Sequence, residues 1–198
     1  MDEQRENLQP EQNEAAAQDA KKTERGWESL AFLHDMVYLL AIVTILFTFF
    51  FRLVAVDGSS MYPTLVDKDY LVLESNFLYR DVKQGDIVVL KVDYFEKPIV
   101  KRVIATGGQT VDLQNGKVVV DGVVLDEPYT ENKVSEPFEK TAVSISYPYT
   151  VPEGYLWVMG DSRTNSQDSR YFGAIDASSV TGHAVFTYWP IPHIGVLS

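Results

Sequence analysis

The pattern of apolar and polar positions divides the chain into three regions. Residues 1–26 are rich in Glu, Gln, Asn and Ala, residues 36–51 form an uncharged and mostly apolar run, and residues 57–198 show short apolar runs separated by turn residues. A polar segment with few aromatic and β-branched residues cannot bury enough apolar surface to offset its ordering entropy. We therefore expect a disordered acidic tail at 1–26, a helix at 27–56 and a β-rich domain at 57–198.

The apolar run is long enough to span a membrane. About 20 helical residues cross a hydrocarbon core of about 30 Å, and Leu53–Val56 extends the run beyond Arg52, whose side chain can snorkel to the headgroups. The alternatives are a buried core helix, which the missing polar stripe disfavours, and a cleaved secretory signal, which the acidic leader disfavours. We predict an uncleaved anchor, and the flanking Lys and Arg residues lean towards a cytoplasmic N-terminus.

The third region is typical of an all-β domain. Its apolar runs are rich in Val, Ile and Tyr, and Asn115-Gly116 and Asp121-Gly122 predict two tight hairpin turns. Residues 126–150 contain three prolines and mixed charge, which favours a mobile insertion. We expect short helical turns only at Ser75–Tyr79 and Ala174–Ser179. The predicted fold is mainly β, a partly open barrel or sandwich of antiparallel sheets after one transmembrane helix.

Composition and charge remove several function classes. The net charge of −11 repels phosphate backbones and argues against a nucleic-acid partner. The chain has no Cys, so disulfides and cysteine nucleophiles are excluded. The three histidines lack metal-ligand spacing, and the acidic loop 161–169 lacks the Gly and the closing Glu of a calcium loop. We expect neither a metal nor a cofactor.

Two positions are candidates for chemistry. Ser60 follows the apolar run in a turn where Gly58 permits close backbone approach and Pro63 fixes the exit. Lys101 lies in the run IVKRVI, where strand alternation turns it inward with its apolar neighbours. Burial has to lower a lysine pKa by about 3 units, roughly 4 kcal/mol, to make it a base near neutral pH. On the residues alone, a plain turn and a snorkelling lysine remain alternatives.

Four segments of the chain resemble the sequence boxes of bacterial type I signal peptidases in order and spacing. They read VDGSSMYPTL, GDIVVLK, KRVIATGG and VPEGYLWVMGDSRTNSQDSRYFG. The single upstream span resembles the compact form common in Gram-positive bacteria. The resemblance implies a membrane-anchored serine endopeptidase that removes N-terminal signal peptides from exported pre-proteins and cuts after small residues. It also implies a catalytic domain outside the cytoplasm, with pre-proteins and the lipid bilayer as partners.

The resemblance also implies a role for each matching residue. Ser60 would be the nucleophile and Lys101 the general base that takes its proton. Ser166 matches a serine that helps to orient the lysine. Asp168 and Arg170 match an ion pair that braces the loop beside the dyad.

The resemblance places the substrate as an added strand beside the nucleophile. It would lie along residues 55–59 and 98–100, with Val56, Gly58 and Ile99 as substrate-binding residues. The backbone N–H of the nucleophile would be one oxyanion donor. Some relatives supply a second donor from a serine where this chain has Gly58, so the second donor is an open question.

Three other functions compete with the anchored peptidase. A catalytically silent, membrane-tethered binding domain is one, although Ser60, Lys101 and Ser166 are all intact. A self-cleaving repressor with the same dyad is another, but such proteins are cytosolic and the span speaks against it. A Ser–His mechanism through His183 is the third.

Overall fold

The computed structural model describes residues 30–76, 79, 81–131, 135–136 and 141–197. The predicted tail at 1–26 lies outside the described residues. The chain divides into two compact units, Met1–Thr48 and Phe49–Ser198, and each is described by itself.

Helix α1, Leu30–Phe50, is long and apolar enough to cross a membrane. At 1.5 Å per residue its 21 residues extend about 31 Å. The hydroxyls of Thr44 and Thr48 donate to the carbonyls of Leu40 and Thr44, at 2.8 and 2.7 Å. The two threonine hydroxyls are therefore satisfied within the helix, as hydrocarbon surroundings require. The helix fits a single-pass membrane protein.

The helix ends earlier than the sequence indicated. Phe51–Ala55, which we expected to continue it, form strand β1 and pair antiparallel with Tyr70–Glu74. Hydropathy cannot separate a short apolar strand from the last turn of an apolar helix, because both are continuous apolar runs. The correction matters for function, since β1 leads directly into the turn that carries Ser60.

The larger sheet has eight strands, all paired antiparallel. Their order is β1-β2-β11-β3-β4-β9-β10, and β12 pairs with β11. The bounds are β1 Phe51–Ala55, β2 Tyr70–Ser75, β3 Ile87–Leu90, β4 Ile99–Thr106, β9 Tyr155–Met159, β10 Ile175–Asp176, β11 Val180–Trp189 and β12 Gly195–Val196. The mainly β fold class is confirmed.

The smaller sheet is the predicted meander with one added strand. Its order is β7-β6-β5-β8, with β5 Thr110–Gln114, β6 Lys117–Val120, β7 Val123–Val124 and β8 Tyr149–Thr150. Asn115 and Asp121 both have φ of +51°, the left-handed conformation that tight hairpins require.

The helical turns agree only in part with the sequence. A 3₁₀ turn lies at Ala177–Ser179 as expected, and a second lies at Ile191–His193. In the expected turn Ser75–Tyr79, residues 77 and 78 lie outside the described residues. Ser75 ends β2, and its carbonyl accepts a bond of 3.1 Å from the amide of Tyr79, the spacing of one helical turn. Helix α2, Ser169–Phe172, was not predicted, because four residues are too few for a periodic signal.

The core holds the nucleophile turn in place. Met61 and Leu65 follow Ser60 in the sequence, whereas β1 precedes it. They are 1% and 0% exposed and pack with Leu71 and Leu73 of β2. Burying a side chain of this size contributes about 1.5–3 kcal/mol. The turn is therefore fixed at both ends, by β1 before it and by buried side chains after it.

Candidate active site

Ser60 and Lys101 meet across the larger sheet. The Lys101 Nζ lies 2.6 Å from the Ser60 Oγ, although 41 residues separate them. Lys101 is 3% exposed on β4, opposite Val88 of β3. Burial lowers the pKa of Lys101 from 10.5 to about 8, because a desolvated ammonium is disfavoured. The inward position predicted for Lys101 is confirmed.

Charges around Lys101 largely offset one another. Asp168 and Asp161 raise the pKa of its amine, whereas Arg170 lowers it, and all three effects are smaller than desolvation. Each carboxylate faces an arginine. Asp168 accepts from Arg170 at 2.9 and 2.8 Å, and Asp161 accepts from Arg102 at 2.9 Å twice. The two paired acids raise the pKa of the amine, but desolvation outweighs their effect.

The Asp168–Arg170 pair predicted from the sequence is formed and buried. Asp168 also accepts from the amide of Gly160 at 3.0 Å and caps α2 through the amide of Arg170 at 3.2 Å. Arg170 donates from Nη2 to the carbonyl of Arg163 at 2.7 Å. The pair thus ties the end of β9, α2 and the loop between them into one unit beside Lys101.

Ser166 lies beside Ser60, and its hydroxyl makes no hydrogen bond among the described residues. The residue is 7% exposed. Gly160 makes this proximity possible, because a Cβ there would lie 2.3 Å from the Ser166 Oγ and 2.4 Å from the carbonyl oxygen of Ser60. The orienting role of Ser166 towards Lys101 stays a prediction.

Gly58 shapes the turn before the nucleophile. Its φ is +107°, a conformation that L side chains rarely adopt, and its N–H donates to Asp67 Oδ1 at 2.9 Å. Two backbone hydrogen bonds close the base of the same loop. The Val56 N–H donates to the carbonyl of Asp69 at 2.8 Å, and the Lys68 N–H donates to the carbonyl of Val56 at 3.0 Å. A serine in place of Gly58 would be strained in this turn.

Val56, Gly58 and Ile99 all line one cleft that also contains the dyad. The cleft has a volume of about 500 Å³. Within the described part of the chain, β1 pairs only with β2, and residues 99–101 of β4 pair only with β3, because β9 starts pairing at Arg102. Open strand edges therefore border the cleft, as an extended peptide would require. The lining residues are 54–58, 60, 61, 67, 68, 89 and 97–101.

Arg102 was missed as a site residue. Alternation along β4 predicted that one residue of the Lys101-Arg102 pair faces inward, yet Arg102 is 1% exposed. Its guanidinium binds Asp161 and donates to the carbonyl of Gly85 at 2.8 Å. Asp161 also accepts from Thr64 Oγ1 at 2.5 Å, which links the nucleophile loop to the loop after β9. Both faces of β4 are covered, so a simple alternation rule fails there.

Part of the region expected to be a mobile insertion packs against these arginines. Arg163 donates to Glu127 and to Ser135 Oγ, at 2.9 and 2.6 Å through Nη1. The ring of Tyr129 lies under the Arg102 guanidinium with a centroid distance of 4.0 Å, and burial raises the pKa of its hydroxyl. Glu127 and Tyr129 are therefore tied to the buried Arg163 and Arg102 and are not a detached excursion. Residues 132–134 and 137–140 lie outside the described residues.

His183 does not contact the nucleophile. Its ring stacks on Tyr79 with centroids 4.3 Å apart, and its nitrogens lie 3.6 and 3.8 Å from Glu74 and Asp86. The Ser–His alternative therefore has no support in the geometry.

The site has the parts of a serine hydrolase that acts on an extended chain. A hydroxyl lies against a buried amine of lowered pKa, and open strand edges flank both. An amine that is about half neutral near pH 8 can accept the proton of a serine as it attacks an acyl carbon. Among the described residues no three or more His, Asp or Glu side chains are grouped as they would be around a metal ion.

Comparison with known proteins identifies the family. The model of the family "Signal peptidase, peptidase S26" matches residues 29–189. Signal peptidase I of Bacillus amyloliquefaciens is 34% identical over 160 residues, which cover 78% of this chain and 82% of that protein. Signal peptidase I T of Bacillus subtilis strain 168 is 37% identical over 147 residues, covering 72% and 76%. A crystal structure of a signal peptidase I from Enterococcus faecalis V583 is 30% identical, has a TM-score of 0.45 and covers 52% of this chain and 97% of that one.

The chain belongs to the S26 family of signal peptidases. The family resemblance of the four sequence boxes is thereby confirmed. Members of this family are serine endopeptidases that remove signal peptides, and the prediction of a peptidase is confirmed at that level.

Proposed function

We propose that this chain is a membrane-anchored signal peptidase that uses Ser60 as nucleophile and Lys101 as general base. The observation that carries the proposal is the distance of 2.6 Å between Ser60 Oγ and a Lys101 amine whose pKa burial lowers to about 8. A buried amine of this kind has little other purpose, because a charged lysine is costly at such a position.

The chemistry follows from the protonation of Lys101. In its neutral form the amine accepts the Ser60 proton while Oγ forms a bond to the scissile carbonyl carbon. The ammonium then returns a proton to the leaving amine, which departs as the carbon–nitrogen bond breaks. Water attacks the resulting ester with the same lysine as base, so the serine is regenerated. The backbone N–H of Ser60 is the first oxyanion donor.

Small residues at the first and third positions before the cut are favoured by the walls of the cleft. Val56 is 6% exposed and Ile99 is half-buried, and both are apolar residues beside the dyad. Apolar side chains at these two positions disfavour large substrate side chains by overlap and charged ones by desolvation.

The anchor explains how the enzyme finds its substrate. Ser60 follows the end of α1 at Phe50 with only nine residues between them, and signal peptides are themselves apolar segments. Confining enzyme and pre-protein to one bilayer raises their effective concentration without new contacts. We place the N-terminus in the cytoplasm and the catalytic domain outside it, in line with the flanking charges.

The test is cleavage of a pre-protein by full-length protein in detergent. Ser60→Ala and Lys101→Ala are expected to lower kcat/KM by about 10³-fold or more, because nucleophile and base act as one unit. Lys117→Ala, an exposed lysine on β6 of the smaller sheet, is the matched control and retains the wild-type rate. Wild-type turnover by either dyad variant contradicts the proposal.

A further inference from the structure

Two links join the walls of the cleft. One wall consists of residues 54–58, 60 and 61 and carries Ser60. The other consists of residues 97–101, at the start of β4, and carries Lys101. The contact between Ser60 and Lys101 is therefore the inner link. The outer link is an ion pair of 2.8 Å between Asp57 Oδ2 and Lys97 Nζ. Asp57 precedes Ser60 by three residues and Lys97 precedes Lys101 by four. At up to 3.6 Å per residue, the outer link lies within about 14 Å of the inner one.

The outer ion pair contributes little to folding. The side chains of Asp57 and Lys97 are 74% and 78% exposed, and ion pairs in water are worth little because solvent and salt screen them. The hydrogen bond between them lowers the pKa of Asp57 and raises the pKa of Lys97, so both are charged over the range in which Lys101 titrates. The pair is therefore a pair of opposite charges at the cleft rather than a structural contact.

Three other charged residues line the cleft, Asp67, Lys68 and Lys101. Asp67 already accepts the N–H of Gly58 at 2.9 Å, and Lys68 is exposed. Lys101 is buried, and its pKa of about 8 leaves it increasingly neutral as the pH rises above neutrality. A peptide lying between the two walls must pass the Asp57–Lys97 pair within about four residues of the dyad.

We propose that Asp57 and Lys97 are specificity determinants that read the charge of the pre-protein residue that passes between them. The inference rests on the proposed function and refines its substrate class. An uncharged residue leaves the pair intact, because the two charges neutralise each other. An acidic residue competes with Asp57 for Lys97, and a basic residue competes with Lys97 for Asp57, so either one leaves a charge of the enzyme unpaired. The wild-type enzyme therefore prefers an uncharged residue at that position.

The experiment measures kcat/KM of the full chain in detergent on a set of signal peptides. Gln, Lys or Glu is placed in turn at each of the four residues on either side of the cut, except the first and third before it. Lys97→Gln is expected to favour Lys over Glu by about two- to five-fold at one position, the range of exposed ion pairs. Asp57→Asn is expected to favour Glu over Lys at the same position. The double variant Asp57→Asn with Lys97→Gln has no preference between the two, and about 1 M salt removes the charge preference of every variant.

The charge-reversed double variant, Asp57→Lys with Lys97→Asp, restores the wild-type profile if the pair acts through charge alone. Lys117→Gln is the matched control, since it removes one exposed lysine away from the cleft. The inference is overturned if the single variants change kcat/KM for the Lys and Glu peptides by the same factor at every position, even where the Gln peptides are cleaved normally. A wild-type protein that cleaves none of the peptides overturns the proposed function and this inference with it. The two failures are therefore distinguishable.

Discussion

The pH dependence of cleavage follows directly from the burial of Lys101. Its pKa falls from 10.5 to about 8, which corresponds to about 3 kcal/mol at 1.36 kcal/mol per pH unit. At pH 7 an amine with a pKa near 8 is roughly one tenth neutral, whereas one at 10.5 is neutral in roughly one molecule in three thousand. Burial therefore raises the fraction of competent base about 300-fold at pH 7.

The assay is kcat/KM of the full-length protein on a signal peptide without groups that titrate between pH 6 and 10. This quantity reports the free enzyme. It is expected to rise about ten-fold per pH unit below pH 7 and to level off above pH 9, with a midpoint near 8. Lys101→Arg is the companion variant. Its guanidinium stays charged at every pH of the assay, so no rising limb remains.

Two outcomes would refute the reasoning. A limb with its midpoint near 10.5 would mean that the amine is not desolvated in the working enzyme. A profile that is flat between pH 6 and 9, with a rate that still depends on Ser60, would mean that another group takes the proton. The pH stability of the fold is measured alongside, so that unfolding is not mistaken for titration.

Three further variants test the surroundings of the dyad, each by thermal unfolding and by kcat/KM. Gly160→Ala is expected to reduce cleavage at least 10²-fold, since its Cβ would lie 2.3 Å from Ser166 Oγ; unchanged activity would contradict the packing. Arg170→Met leaves the buried Asp168 carboxylate unpaired and is expected to destabilise the fold by about 3–5 kcal/mol; an unchanged melting temperature would argue against it. Lys101→Met is expected to stabilise the fold at pH 7 by up to about 3 kcal/mol, with the gain shrinking from pH 8 to 10.5; a constant difference would oppose it.

The sign of the Lys101 effect on stability is set by its lowered pKa. Below pH 8 the lysine is protonated in both the folded and the unfolded chain, and the folded state carries the whole cost of a buried ammonium. Between pH 8 and 10.5 the folded chain releases this proton while the unfolded chain retains it, so stability rises with pH. The cost is gone above 10.5. A lysine kept for stability would show the opposite trend.

Ser60 and Lys101 could be singled out from the sequence as candidates for chemistry because their signals are local. Ser60 sits in a turn marked by Gly58 and Pro63, and Lys101 lies in an apolar strand run where alternation turns it inward. The hairpins at Asn115 and Asp121 were predictable for the same reason, since each depends on a dipeptide. The meeting of Ser60 with Lys101 was implied by the resemblance and not by any local pattern, because β1 and β4 are not neighbours in the sheet.

The rest of the site depends on contacts between distant residues, and these leave no local signal. Arg163 and Glu127 are 36 residues apart, and Thr64 and Asp161 are 97 apart. Glu127 lies in a segment whose prolines and mixed charge indicate a loop, and nothing in that composition reveals that an arginine holds it. The burial of Arg102 was not predicted for a similar reason, because a strand that is covered on both faces does not alternate between polar and apolar residues.

The paired acids around Lys101 bear on two requirements of the site, a rigid loop and a lysine of low pKa. The loop beside the dyad must be rigid, and buried ion pairs supply strong, directional contacts for that purpose. An unpaired carboxylate there would raise the pKa of the amine and remove the base from use near neutral pH. Asp168 and Asp161 still raise the pKa of Lys101, but each is bound at two points by an arginine, and desolvation remains the larger effect on the amine. Neutralising one arginine is therefore expected to harm catalysis twice, by loosening the loop and by leaving a carboxylate that favours the ammonium.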